Sequence, residues 1–233
     1  MGKGLIIFDL DGTLADTVRD LVPALNRATA LDGLPPIPLA DVGHIVGQGA
    51  MAMIARAFEY HAQPLAPARH RELFDIFLAE YEAHICDKTV WFDGLTGALD
   101  ALEADSWRFA VCTNKAEALA RLLMDRLGQA DRFVALTGGD TFDVKKPDPR
   151  HILKTAELAG VGGATIMVGD SVNDIEAARR AKVPSIGVTF GYTDTPMAQI
   201  GPDVLIEHFN QLPQAVESVM VGDAGIEPAT PAV

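Results

Sequence analysis

The sequence predicts an α/β protein, a parallel-sheet core that carries an inserted helical cap. Three observations lead there. Short apolar runs of strand length alternate with helical patterns along most of the 233 residues. Those runs end in polar clusters, among them two aspartates separated by a single leucine. One interval, from about 18 to 85, breaks the alternation and carries helical periodicity alone.

The first run is Leu5, Ile6, Ile7 and Phe8, continuous and apolar as a strand buried on both faces should be. FDLDGTLADT follows, and helical spacing then begins with Leu21, Leu25, Ala28 and Leu31. It resumes with Met53, Ile54, Ala57 and Phe58, and again with Leu73, Phe74, Phe77, Leu78, Tyr81 and Ile85. DGLPPIPLAD punctuates this helical interval, and CDKTVWFDG returns the chain to the sheet. Further strands are expected at 109–112, 133–136, 165–168 and 185–188. Helices are expected at 115–127, closed by Gly128, and at 150–159, closed by Gly160. Strand alternating with helix implies a Rossmann-like parallel sheet, which binds ligands beyond the carboxyl ends of its strands.

These patterns divide the chain into a core over 1–15 and 90–222 and a cap over 16–89, with linkers near 14–18 and 86–93. The last residues, 223–233, are rich in Gly, Pro and Ala and are expected to be a disordered tail. MVGDA at 220–224 echoes MVGDS at 167–171, an echo read as coincidence because its surroundings differ.

Hydrophobic residues make up 48% and charged residues 22%, a globular composition. A net charge of -13 excludes the basic face that a phosphate backbone or an acidic bilayer demands, so neither a nucleic-acid nor a membrane partner is expected. No apolar stretch approaches the roughly 20 residues that span a bilayer. The N-terminal apolar run is too short for a signal peptide, and Ile6 stands where a myristoylation signal wants Ser or Thr. The two cysteines, Cys86 and Cys112, read as reduced thiols, and a cytoplasmic location is expected. The spacing leaves the oligomeric state open.

The strand ends carry the chemistry. Asp9 and Asp11 follow the first strand, Thr113 and Asn114 the second, Lys145 and Lys146 come after the third, and Asp170 and Asp174 follow the fourth. In a parallel sheet all of these meet on one edge. Aspartates so gathered repel one another, and a single ammonium cannot balance them. Oxygen ligands beside an anionic substrate point to magnesium, which takes one or two carboxylates and leaves room for a phosphate oxygen. His44, His61 and His70 lack the spacing of metal ligands.

The ordered set DLDGT, TN, KKP and GDSVND resembles the four motifs of the haloacid dehalogenase superfamily, in particular its phosphatases with a helical cap after the first motif. The resemblance covers nearly the whole chain and implies a Mg2+-dependent phosphatase acting on a small phosphorylated metabolite. It implies that Asp9 is the nucleophile and Asp11 the general acid and base. Thr113, Asn114 and Lys146 then hold the phosphate, with main-chain N–H groups near Gly12. Asp9, Asp170 and the Asp11 main-chain carbonyl become the metal ligands. Asp174 is left to pair with Lys146, to cap the following helix or to support the metal. Asp11 argues against the dehalogenases, which need no proton donor.

One further feature bears on specificity. Gly47 and Gly49 in VGQGA permit a tight loop, and Gln48 there, with Arg56 nearby, is a candidate for holding a substrate carboxylate. Lys145 reads as a solvated surface charge. A rival reading is a phosphorylation-dependent signalling receiver, whose acceptor lies on a middle strand and which has no large helical insertion. Turnover separates the two.

Overall fold

The computed structural model describes residues 2–46 and 49–223. Six parallel strands form one sheet in the order β3-β2-β1-β4-β5-β6: β1 (Gly4–Phe8), β2 (Trp107–Cys112), β3 (Phe133–Thr137), β4 (Ala164–Gly169), β5 (Ser185–Val188) and β6 (Val204–Ile206). From β1 the chain builds outward to β3, then crosses back to β4 and builds the other way. The reversal leaves a crevice at the carboxyl ends of β1 and β4, where Asp9 and Asp170 emerge.

β1 is buried throughout because both of its faces are covered. Ile6 and Phe8 join Phe109, Val111 and Val168 on one side, while Leu5 and Ile7 join Ala110, Cys112 and Met167 on the other. The second side is sealed by Ile152 of α6 (Pro149–Ala159) and by Ala177 and Ala178 of α7 (Val172–Ala181). The central strands therefore read as nearly continuous apolar runs, without the alternation of a sheet open to water on one face.

Between β1 and β2 lie α1 (Val18–Ala30), α2 (Ala50–Tyr60), α3 (Pro67–Ala83) and α4 (Leu95–Ala104). The first three carry the helical periodicity of the sequence, and their buried residues continue the larger apolar cluster of the sheet. The rings of Phe77 and Tyr81 stack in α3 with centroids 6.0 Å apart. α4 packs on the sheet side through Leu99 and Leu102.

The chain leaves and re-enters the sheet along one short ladder. The Asp16 N–H donates to Val90 O at 2.9 Å and the Phe92 N–H to Leu14 O at 3.0 Å, with Ala15 bridged to Trp91. Asp20 fastens it. This buried carboxylate accepts from the N–H of Lys88 and from both the N–H and the hydroxyl of Thr89, the last two at 2.8 and 2.7 Å.

The structure departs from the sequence reading at two elements and at the start of the tail. β6 was not expected, because three residues at the sheet edge are too short to show a pattern. The helix expected from Lys115 starts two residues later, as α5 (Glu117–Leu127), because Ala116 is extended and Lys115 is drawn toward the strand ends. Asp223, expected to open the tail, instead ends α9 (Leu212–Asp223), and the repeated string takes two conformations, 220–223 in this helix and 167–169 in β4, as an echo by coincidence should. The tail at 224–233 lies outside the described residues. No described helix is long and apolar enough to cross a membrane, and both cysteines are free.

Replacing Asp20 should be costly, since Asp20→Ala strands the buried Thr89 N–H and hydroxyl. Urea denaturation should show a loss of about 2–4 kcal/mol, and Asp20→Asn, which keeps an acceptor, a smaller one. A loss below about 1 kcal/mol for the alanine variant would mean the ladder holds without Asp20.

Candidate active site

Asp9 follows β1 directly and is nearly buried, 9% exposed. The chain then folds back on itself, with the N–H groups of Thr13, Leu14 and Ala15 all turned to Leu10 O. Gly12 sits in this turn at φ +82°, and a Cβ there would come within 2.3 Å of the Asp170 carboxylate. Only glycine allows that approach. Thr13 uses it: its hydroxyl donates to Asp170 Oδ1 at 3.0 Å. The other Asp170 oxygen accepts from the Tyr192 N–H at 2.8 Å.

Lys146 is 2% exposed, and its ammonium reaches Asp174 Oδ1 at 2.6 Å, Asp9 Oδ1 at 2.9 Å and the Cys112 carbonyl at 2.5 Å. Burial alone would push this ammonium toward deprotonation, but Asp174 and Asp9 outweigh it and hold the pKa above that of an ordinary lysine. Asp174 itself is fully buried and does two things the sequence left open. It pairs with Lys146, and its Oδ2 caps α7 by accepting from the Ser171 N–H and hydroxyl. Gly169 makes room, since a Cβ there would meet Asp174 at 2.3 Å.

Asp9, Asp170 and Asp174 each bring a carboxylate oxygen into one cluster, all within 4.8 Å of one another. Burial raises the Asp9 pKa to about 6, with Lys146 opposing and Asp174 adding to the rise. Asp170 is raised well above the usual carboxylate range by burial, then by Asp174 and Asp9. Asp9 Oδ1 and Asp174 Oδ1 accept no hydrogen bond, although Lys146 stands beside both as an ion pair. Buried oxygens short of donors, with one ammonium for three carboxylates, fit a hard divalent cation. Asp174 gives one oxygen to the Lys146 ammonium and the other to the α7 cap, whereas Asp170 is held only by neutral donors and so keeps its charge uncompensated.

Thr113 is buried at the end of β2, and its hydroxyl accepts from the Lys115 N–H at 3.2 Å. Asn114 donates from Nδ2 to the Lys146 carbonyl at 2.9 Å, which ties the two loops, and its Oδ1 is buried without a partner. Lys115 was missed by the sequence reading. Its ammonium grips both oxygens of Asp11 at 2.8 and 3.0 Å and lies 4.5 Å from the centre of the Tyr81 ring. The lysine directly after the TN pair was the available signal, hidden by reading it as the start of a helix. Thr13 and Tyr192 were missed too, and no spacing rule marks their roles. Tyr192 also donates its hydroxyl to Asp16 Oδ1 at 2.6 Å, on the outgoing linker.

Asp9, Asp11, Thr113 and Asn114 open onto a cavity of about 320 Å³ between the sheet edge and α1 to α3. Lys145 is exposed, as expected of a surface charge, yet it lines this cavity and makes no ion pair among the described residues. Arg56, on α2, does not line it. Gln48 lies outside the described residues.

Comparison with known proteins matches residues 6–188 to the model of the haloacid dehalogenase-like hydrolases. A phosphoglycolate phosphatase of Agrobacterium fabrum is 50% identical over 218 residues, covering 93% of this chain and 94% of that protein. One from Caulobacter vibrioides is 41% identical over 213 residues, covering 90% and 89%. The crystal structure of a predicted phosphoglycolate phosphatase from Haemophilus somnus superposes with a TM-score of 0.84 at 28% identity, covering 92% of this chain and 98% of that one.

A carboxyl that holds its proton more tightly folded than unfolded weakens the fold as pH rises between the two pKa values. In chelator, the stability of the parent chain relative to Asp9→Asn should therefore fall between pH 3.8 and about 6. A saturating divalent cation should cancel the fall. Urea denaturation across that interval checks this, and a difference independent of pH would show that Asp9 ionises as freely as in water.

Proposed function

Because the chain belongs to the haloacid dehalogenase-like hydrolase family, we propose that it is a magnesium-dependent phosphomonoesterase that hydrolyses 2-phosphoglycolate through a phosphorylated Asp9. The observation that carries the reading is the convergence of Asp9, Asp11, Lys146 and Asp170 at the crevice beside β1, in a chain half identical to a phosphoglycolate phosphatase. A core at 1–15 and 90–222 with a cap at 16–89 remains the domain reading, supported by the strand-free helices between β1 and β2. The absence of a described membrane-length helix is consistent with the cytoplasmic location expected from the sequence.

Asp9 attacks phosphorus as a carboxylate, forming an O–P bond while the bond to the glycolate oxygen breaks. Splitting a very slow hydrolysis into two steps is what a covalent nucleophile contributes. Asp11 gives its proton to the departing oxygen, then takes one from the water that cleaves the acyl phosphate, regenerating Asp9 and releasing phosphate. Lys115 holds the Asp11 carboxylate at the cavity wall, ready for the second task. Lys146 and the Thr113 hydroxyl meet charge on the transferring oxygens. Magnesium, when held by Asp9, Asp170 and the Asp11 carbonyl, supplies positive charge to the phosphoryl oxygens.

The glycolate carboxylate needs a cation. Among the described residues, Lys115 and Lys145 are the cations that line the cavity, and Lys115 is engaged by Asp11. Lys145 is therefore assigned to the carboxylate in place of Arg56, with Gln48 kept as a candidate beside it.

Three measurements test this reading. Purified protein with magnesium should hydrolyse phosphoglycolate in preference to glycerol phosphate and sugar phosphates, and lose turnover in chelator. A preference for another ester overturns the substrate, and undiminished turnover in chelator overturns the metal. Asp9→Asn should abolish turnover. Asp11→Asn should lose about 10²- to 10⁴-fold on phosphoglycolate, but much less in single-turnover release of nitrophenolate, whose departure needs no acid. Equal losses on both esters would make Asp11 a structural residue. Finally, Lys145→Ala should lower kcat/KM for phosphoglycolate about tenfold or more while sparing nitrophenyl phosphate, a loss typical of a charge-assisted hydrogen bond. Equal effects would remove Lys145 from the specificity site.

A further inference from the structure

The cavity is lopsided. Its charged lining residues, Asp9, Asp11, Lys115, Asp140 and Lys145, all come from the sheet side, while every described residue that the helical insertion contributes to it is uncharged. The facing wall is formed by Leu21 of α1, Met53 of α2, and Phe74, Phe77, Leu78 and the Tyr81 ring of α3, and Leu119 of α5 continues the apolar surface from the sheet side. Phe74, Leu78 and Leu119 are only partly buried, so this wall still has apolar surface to cover. A glycolate ester ends in a carboxylate two carbons from the phosphate oxygen and offers that surface nothing.

We propose that the same site also hydrolyses phosphate monoesters of short apolar alcohols, with the phosphate at Asp9 and the hydrocarbon chain lying on this wall. The inference rests on the phosphomonoesterase reading and adds a second substrate class to it. The balance of the reaction is unchanged. The O–P bond to Asp9 forms as the P–O bond to the alcohol breaks, the leaving oxygen takes the proton of Asp11, and water then releases phosphate, so ester and water give alcohol and phosphate. What the wall adds is binding of the leaving group. Each methylene taken fully out of water is worth about fourfold in affinity, and covering apolar surface already partly sheltered realises a fraction of that. Binding energy from such a remote group orients the phosphate for attack.

The test is a homologous series. Methyl, ethyl, propyl and butyl phosphate have leaving groups of nearly equal basicity, so a trend in kcat/KM along the series reports contact with the chain. With the intact protein and magnesium, kcat/KM should rise by about two- to fourfold per methylene, with phosphoglycolate measured alongside in the same preparation. Leu78→Asn and, separately, Leu119→Asn should flatten the trend, and two variants on different helices guard against misfolding of either. A flat or falling series with normal phosphoglycolate turnover overturns this inference and leaves the parent reading intact. A rising series that neither variant flattens overturns the assignment of the chain to this wall. Loss of turnover on every ester in the intact protein overturns the phosphomonoesterase reading and this one with it.

Discussion

The buried ammonium of Lys146 is the constraint on which the site depends. It is 2% exposed, lies within 3 Å of the carboxylates of Asp9, after β1, and Asp174, in the first turn of α7, and also donates to the main chain of β2 at Cys112. Desolvating any of these charges alone would cost several kcal/mol, and the geometry repays this only while all of them are present. Asp170 solves its own problem differently, through neutral donors from Thr13 and Tyr192. Three carboxylates against one ammonium leave the cluster short of positive charge. A divalent cation and a transferring phosphoryl group together fit such a site, because each supplies charge the other needs.

Backbone shape makes the cluster possible. Gly12 and Gly169 stand where a Cβ would strike Asp170 or Asp174, so the carboxylates pack against bare main chain. The same economy links the sheet to the helical insertion. Asp11, two residues after Asp9, is held by Lys115, whose ammonium lies against the Tyr81 ring of α3. Tyr192, beside Asp170, reaches Asp16 on the linker. Each contact ties a residue of the sheet edge to one on the helical insertion or its outgoing linker.

Much of this was legible in the sequence because its physics is local. Strands buried on both faces appear as apolar runs, and polar residues at their carboxyl ends must converge once the sheet is parallel, so Asp9, Asp11, Thr113, Lys146, Asp170 and Asp174 could be gathered before any coordinates. What was not legible depends on residues far apart in sequence. Lys115 resembles a helix start until Asp11, more than a hundred residues away, claims it. Asp174 had three open roles, and only the position of Lys146 and the turn at Ser171 shows that it fills two of them at once. Lys145 was read as a surface charge, which its exposure bears out, but its place on the cavity wall depends on how α1 to α3 lie over the sheet. β6 is three residues of an edge strand, below the length at which periodicity says anything.

The central claim is that the carboxylates and Lys146 stabilise one another as a unit. A double-substitution cycle in metal-free buffer tests it most directly, comparing Lys146→Met, Asp174→Asn and the pair by urea denaturation. Lys146→Met should cost about 3–5 kcal/mol because it strands buried carboxylates, and adding Asp174→Asn should return a substantial part of that loss by removing one of the stranded charges. If the two losses simply add, Lys146 and Asp174 are independent and the account fails.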